Sequence, residues 1–159
     1  MVRAARTRPN VLHIGLDADP TRMRRASQRA PANAIFVVAA AESLPTELDG
    51  AVSELSILFP WGSLLRGLVA PSPEILSGIA RVLRRGGTLA ALLSLTERDG
   101  SEPLDAETID RAAYASHGLR VVEWRAATTA EIAASESSWA KRLGVDRDRV
   151  VWRLVSRRA

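Results

Sequence analysis

Short apolar runs alternate along this chain with longer segments whose apolar residues recur every three or four positions. The first run, Val11-Leu12-His13-Ile14-Gly15-Leu16, ends at Asp17 and reads as a buried parallel strand. Pro20 to Ala30 reads as a helix, with Asp19 as its N-cap and Pro20 at the first position. Ala34 to Val38 is a second strand, and Glu54 to Phe59 a third, stopped by Pro60. Ser72-Pro73-Glu74 opens a helix that runs to about Arg84 and closes at Arg85-Gly86-Gly87. Thr88 to Ser94 is a fourth strand, followed by a polar loop over residues 96–102. Asp105 to His117 reads as a helix closed by Gly118, Leu119 to Trp124 as a fifth strand, Thr129 to Leu143 as a helix, and Val150 to Val155 as a sixth strand.

Strands alternating with helices predict an α/β domain with a mostly parallel sheet. The last two strands are less purely apolar, which suits a sheet edge. There is no internal repeat, low-complexity tract or linker, so residues 1–159 read as one domain.

Composition narrows the chemistry. At 47% hydrophobic and 25% charged residues, the chain is ordinary for a soluble globular protein. No apolar run reaches the roughly 20 residues of a membrane span, and no apolar signal core follows the basic residues at the N-terminus. A cytoplasmic location is the default expectation. The absence of Cys excludes disulfides, thiolate metal sites and thiol catalysis together. His13 and His117 have no paired-His spacing, so no metal site is expected. The net charge of +4 is carried almost wholly by Arg, since Lys141 is the only Lys. Arg suits phosphate and nucleic-acid contact through its planar fork, although a GC-rich genome also enriches Arg and Ala.

Several constellations bear on function. Asp17, at the carboxyl end of the first strand, is placed to accept hydrogen bonds from ribose hydroxyls; the plainer reading is a capping acid, a task Asp19 already serves. Asp17-Ala18-Asp19-Pro20-Thr21 also fits the Asp-x-Asp-x-Thr pattern of haloacid-dehalogenase-like phosphatases. That chemistry needs a later Lys and an acidic pair for Mg²⁺; the sole Lys is near the C-terminus and no Asp-Asp pair follows a strand. Ala41-Glu42 lies just past the second strand, where adenine of a nucleotide-type cofactor is often read, or Glu42 simply opens a polar turn.

Two blocks stand out: Pro60-Trp61-Gly62-Ser63-Leu64-Leu65-Arg66-Gly67 and Ser137-Ser138-Trp139-Ala140-Lys141-Arg142-Leu143. Trp61 follows a strand end, where an α/β active site is expected and a core Trp is not; the plainer reading is a Trp that covers a helix edge. Trp139, on the helix between the fifth and sixth strands, is either a core-facing Trp or, with Lys141, Arg142, Arg147 and Arg149 following, the aromatic centre of a basic cluster. Two Trp faces form a slot for a flat ring such as a flipped nucleobase. Trp124 and Trp152 lie within strands and read as packing residues. Gly62-Ser63 does not meet the nucleophilic Gly-x-Ser-x-Gly pattern.

These residues resemble the kanamycin–apramycin resistance methyltransferases, which methylate N1 of adenine-1408 in the decoding site of 16S rRNA. The matching stretches are Leu16 to Asp19, Ala41 to Pro45, Pro60 to Gly67, Ser72 to Glu74, and Ser138-Trp139 leading to Arg147-Asp148-Arg149; they run in the same order and span essentially the whole chain. The resemblance implies a class I, Rossmann-like methyltransferase fold and S-adenosylmethionine as cofactor. It implies that Asp17 binds the ribose, Ala41 and Glu42 the adenine, and that Pro60 and Ser137 line the methyl donor. Trp61 and Trp139 are then the slabs that clamp the flipped base, the two groups expected to carry catalysis. Arg147 and Arg149 are the expected phosphate contacts, with Arg66, Lys141 and Arg142 adding to the RNA surface. The partner is 16S rRNA in the small ribosomal subunit, the enzyme is expected to act as a monomer without metal, and the outcome is aminoglycoside resistance.

The chain departs from the family at its front. Members begin with a strand and an Asp-x-Gly-Thr-Gly-x-Gly turn, and nothing like it precedes Val11 here, where Val2 to Arg8 resembles the tail of the helix after that turn. The chain is therefore expected to lack the first strand and the glycine-rich loop, to expose two strand edges, and to bind S-adenosylmethionine poorly. The alternatives are a catalytically inactive, rRNA-binding fragment and, further off, the phosphatase.

Overall fold

The structure, a computed structural model, describes residues 1–94, 104–135, 137 and 150–159. The chain divides into two compact units, Met1–Pro45 and Thr46–Ala159.

The first unit contains α1 (Val2–Thr7), β1 (His13–Asp17), α2 (Pro20–Ser27) and β2 (Ala34–Val38). β1 and β2 pair in parallel from His13 against Ala34 to Asp17 against Val38. The crossover between them is α2, as a parallel pair requires. Asp19 starts α2 by accepting the Thr21 N–H at 2.9 Å, with Pro20 in the first turn; the helix stops at Ser27, short of the expected Ala30. One side chain organises the lead-in to β1: Asn33 Nδ2 lies 2.9, 3.1 and 2.9 Å from the carbonyl oxygens of Ala5, Arg8 and Val11. Two of these carbonyls, those of Ala5 and Arg8, belong to the end of α1, where a short helix runs out of intrahelical donors.

The second unit opens on a 3-10 turn (Thr46–Leu48) and continues with β3 (Val52–Leu58), α3 (Gly62–Val69), α4 (Pro73–Val82), β4 (Leu83–Leu93), α5 (Arg111–Ser116), β5 (Leu119–Ala126), α6 (Thr129–Ala134) and β6 (Trp152–Arg158). Its four strands are ordered β3-β4-β6-β5. β3 and β4 are parallel, whereas β6 runs antiparallel to both β4 and β5. The second sheet is therefore mixed, and only β5 of the last two strands is at an edge. β6 is interior, with Leu154, Val155 and Ser156 buried; its less purely apolar sequence had pointed to an edge.

Three helical expectations change. α3 was not expected, because Gly62 and Gly67 dilute its helical signal; its apolar residues nonetheless recur at Leu64, Leu65, Leu68 and Val69, and Leu65 and Leu68 are buried. α4 ends at Val82, and β4 begins at Leu83 rather than Thr88. α5 is shorter than the expected 105–117, because Asp105 holds a separate turn through the Thr108 hydroxyl at 2.8 Å. The described part of α6 ends at Ala134, and residues 138–143 of the expected helix lie outside the described residues.

The core of this unit is the packing of α3, α4 and α5 on the sheet through Leu65, Leu68, Leu76, Leu89, Leu93 and Tyr114, each no more than 1% exposed. Trp124 and Trp152 stack with ring centroids 4.8 Å apart, packing residues as expected. Among the described residues β1 pairs only with β2 and β3 only with β4, so each has one edge without a partner strand. No helix among the described residues is long and apolar enough to cross a membrane.

Candidate functional site

In the first unit, the parallel register puts Asp17 and Val38 at the same, carboxyl end of β1 and β2. Ala41 and Glu42 follow directly, and the Ala39 N–H bonds the Asp17 carbonyl at 3.1 Å, which ties the two strand ends together. Ala41 is half-buried and Glu42 exposed. Asp17 is half-buried; its Oδ1 accepts the Asp19 N–H at 2.9 Å, and its other oxygen has no hydrogen-bond partner among the described residues. A carboxylate held at a strand end with one oxygen open fits the acceptor that vicinal ribose hydroxyls require.

Asp19 is differently occupied. It caps α2 and accepts the Thr21 hydroxyl at 2.6 Å, and that hydroxyl, followed by the Thr21 N–H, holds its carboxyl below the usual carboxylate range. Asp19 is thus engaged as the helix cap, the plainer of the roles the pattern offers it.

In the second unit, β3 gives way to Phe59, whose φ of 51° is unusual for a bulky residue. Phe59 is held by its N–H to the Leu92 carbonyl at 2.8 Å and by a side chain buried beside Leu92 and Val151. Pro60 and Trp61 come next, and Gly62 again turns left-handed at φ 65°. Nothing lies within 4 Å of a Cβ built on Gly62, so its backbone angle alone calls for glycine. Trp61 is thus extended between two left-handed residues and 67% exposed. At Gly67 the reason is contact: a Cβ would meet Ile75 Cγ1 at 2.7 Å, where α3 crosses α4. The two glycines of this block are structural, and the Trp is what they present. Arg66 is exposed in the last turn of α3, where a cation also meets the helix dipole favourably.

Ser137 lies beyond α6, and the start of α6 is heavily tied. Thr128 and Glu131 form a reciprocal capping box. Glu131 also receives Arg125 on both oxygens, at 3.0 and 2.7 Å, and Arg153 Nε at 3.3 Å. Arg125, first, and the Thr128 N–H lower the Glu131 carboxyl from its ordinary 4.5 to about 2. A depressed carboxylate contributes stability above its unfolded pKa and loses it as pH falls through the folded value. The stability gap between the wild type and Glu131→Gln is therefore expected to be constant above pH 4.5 and to close as pH falls towards 2. Urea midpoints across that range test this; a gap independent of pH refutes it.

The register Leu93–Trp152–Ala126 aligns the ends of β4 and β5, so the Pro60 turn and α6 both leave the sheet at the carboxyl ends of β3, β4 and β5. Ile132 and Ala127 pack against Phe59, Leu92 and Val151 there. Ser94, just past β4, has a buried Oγ with no hydrogen-bond partner among the described residues, an orphan suited to a ligand or a water. Phe59, Ser94, Glu131 and Ile132 were not singled out from the sequence. Only Thr128-x-x-Glu131 carried a local signal, the capping-box pattern. Trp139, Lys141, Arg142, Arg147 and Arg149 lie outside the described residues. No cluster of three or more His, Asp or Glu suited to a metal occurs among the described residues.

Known proteins resemble this chain in sequence and in fold. Residues 1–158 match the family model described as NpmA, 16S rRNA (adenine(1408)-N(1))-methyltransferase. The chain is 41% identical to the 16S rRNA (adenine(1408)-N(1))-methyltransferase of Streptoalloteichus hindustanus, covering 92% of this chain and 76% of that protein. It superposes on the 16S rRNA methyltransferase KamB with a TM-score of 0.87 at 34% identity, covering 99% of this chain and 81% of the other. A mutant of the Catenulisporales acidiphilia enzyme, solved with cosubstrate SAM, matches with a TM-score of 0.86 at 26% identity over 99% of this chain and 80% of the other. Fold and sequence agree over nearly the full chain: it belongs to the 16S rRNA (adenine(1408)-N(1))-methyltransferase family.

Proposed function

We propose that the chain transfers a methyl group from S-adenosylmethionine to N1 of adenine-1408 in the 16S rRNA decoding site, and thereby gives aminoglycoside resistance. The observation that carries this is the exposed Trp61, set by two left-handed residues at the carboxyl end of β3, in a chain whose family match covers residues 1–158. Asp17 would hold the ribose, Ala41 and Glu42 the adenine of the cofactor, and Pro60 and Ser137 the surroundings of the donor. Bound S-adenosylmethionine supplies an electrophilic methyl on its sulfonium. Adenine N1 carries an in-plane lone pair, so no general base is needed and catalysis is mostly positioning. Trp61 and Trp139 would clamp the flipped base, and their faces favour the cationic ring that forms, by roughly 0.5–2 kcal/mol per contact.

Charge supports an RNA partner. The first unit holds seven Arg against three carboxylates, whereas the second holds fifteen basic and fifteen acidic residues, so the whole net charge of +4 belongs to Met1–Pro45. All seven Arg are exposed, including Arg24, Arg25 and Arg29 on and after α2. Together with Arg66, Lys141, Arg142, Arg147 and Arg149, they would bind phosphates. The partner would be the assembled small subunit, met by a monomer in the cytoplasm.

One observation favours a second reading, an rRNA-binding chain without transfer: β1 and β3 each carry an edge with no partner strand among the described residues. Incubation with small subunits and labelled S-adenosylmethionine separates the two. Label at one adenine with a primer-extension stop there supports transfer. Salt-dependent binding without label supports the second reading. Asp17→Asn is expected to weaken S-adenosylmethionine binding roughly 10–100-fold, the worth of hydrogen bonds to a charged acceptor. Calorimetry showing unchanged affinity would remove Asp17 from the cofactor site.

A further inference from the structure

We propose that α6 is a bracket that holds Pro60–Trp61 and Ser137 in fixed relation, with Glu131 and Ile132 as its positioning residues; this rests on the assignment of those three residues to methyl transfer. A helix of six residues cannot maintain itself, so its placement must come from tertiary contacts. Thr128 alone would serve as a cap. Glu131 goes further: it receives Arg125 from β5 and Arg153 from β6, which fixes the start of α6 on two adjacent strands. Glu123 braces the same two Arg, accepting from Arg125 Nη2 at 3.2 Å and from Arg153 Nε at 3.0 Å.

The next residue reaches the other way. Ile132 packs into the cluster of Phe59, Leu92 and Val151, and Phe59 directly precedes Pro60. Phe59 has a left-handed backbone, which persists only where its surroundings over-determine it. Its surroundings are the Leu92 carbonyl and this cluster. A third link runs forward: Ser135 Oγ donates to the Ile132 carbonyl at 2.7 Å and accepts the Ser137 N–H at 3.4 Å. One short helix therefore packs on one side against the cluster that contains the residue before Pro60, and on the other leads into Ser137. A helix that mattered only for local stability would need the cap and the ion pairs, but no packing against the cluster that holds the turn towards Trp61.

Hydrogen exchange of the full chain, read by mass spectrometry, tests the bracket without relying on activity. Glu131→Gln keeps a capping-box acceptor and removes the charge that pairs with Arg125 and Arg153. It is expected to speed exchange about tenfold over residues 59–66 as well as 128–135, with the rest of the second unit unchanged. Ile132→Ala should do the same, and Ile132→Val should restore most of the protection. Faster exchange confined to 128–135 in both variants overturns the proposal. A second readout is affinity for S-adenosylhomocysteine by calorimetry, expected to fall about tenfold in Glu131→Gln. Coupled exchange with unchanged affinity overturns the positioning role and leaves only a structural link. Loss of labelled transfer in the wild type would count against the methyltransferase reading and leave the exchange result standing.

Discussion

Replacing Trp61 by Ala is expected to lower methyl transfer to the small subunit roughly 10–100-fold while leaving the fold and S-adenosylmethionine affinity almost unchanged. The magnitude follows from base–aromatic stacking, about 1–3 kcal/mol per base, and from tenfold in rate per ~1.4 kcal/mol. The fold is spared because Trp61 is 67% exposed and contributes little to the core. Its backbone is extended, with the left-handed angles on Phe59 and Gly62, so Ala fits the same position without strain. Trp61→Phe keeps a ring face and should retain most of the activity. The assay is labelled methyl incorporation into small subunits, with a melting curve for each variant. An Ala variant as fast as the wild type, at the same melting temperature, would end the stacking role for this residue.

Tyr114 carries the largest expected effect on stability. It is 0% exposed and heads the fully buried side chains by volume. Its hydroxyl donates to the Leu68 carbonyl at 2.8 Å. Leu68 lies in the last turn of α3, whose carbonyls have no intrahelical partner, so Tyr114 satisfies a helix end as well as filling the core. Burial pushes the phenol pKa well above its ordinary value, so the hydroxyl remains a donor throughout the neutral and alkaline range. Tyr114→Ala is expected to cost about 3–5 kcal/mol, the usual range for removing a buried aromatic. That is a large share of the ~5–15 kcal/mol that holds a domain together. Tyr114→Phe, which only frees the Leu68 carbonyl, should cost about 1–2 kcal/mol. Urea unfolding measures both; equal losses would mean that packing contributes nothing beyond the hydrogen bond. Because α3 begins at Gly62, a softened α3 should also loosen the presentation of Trp61.

How much of this was legible beforehand depends on the range of the signal. Strand positions were readable because an apolar run bounded by Asp17 or Pro60 is a local pattern, and β1, β2 and β3 fall within a few residues of where those runs lie. The exposure of Trp61 was readable for the same reason: a Trp directly after a strand-ending Pro has no core position to occupy. Asp17 was readable as a strand-end carboxylate, and the structure places it at the carboxyl end of β1. The collinear motifs also carried family membership, since residue identity at fixed spacing survives where contacts are invisible.

The rest needed three dimensions. α3 was hidden because Gly62 and Gly67 serve a turn and a helix crossing, and both demands lower the helical signal that periodicity reads. The interior position of β6 was hidden because pairing of Leu89 with Ser156, or of Trp124 with Leu154, joins residues far apart in the chain. No local pattern encodes such a pairing. The mixed polarity of β6 suited an edge, yet its Arg153 finds Glu123 and Glu131 on neighbouring elements. By itself, then, the sequence determined the family, through motifs collinear along the chain, and the strand ends, through residues within a few positions of one another. Tertiary structure alone decided the strand order, the left-handed turn at Phe59 and the linkage of α6 to that turn, because each depends on contacts between residues distant in the chain.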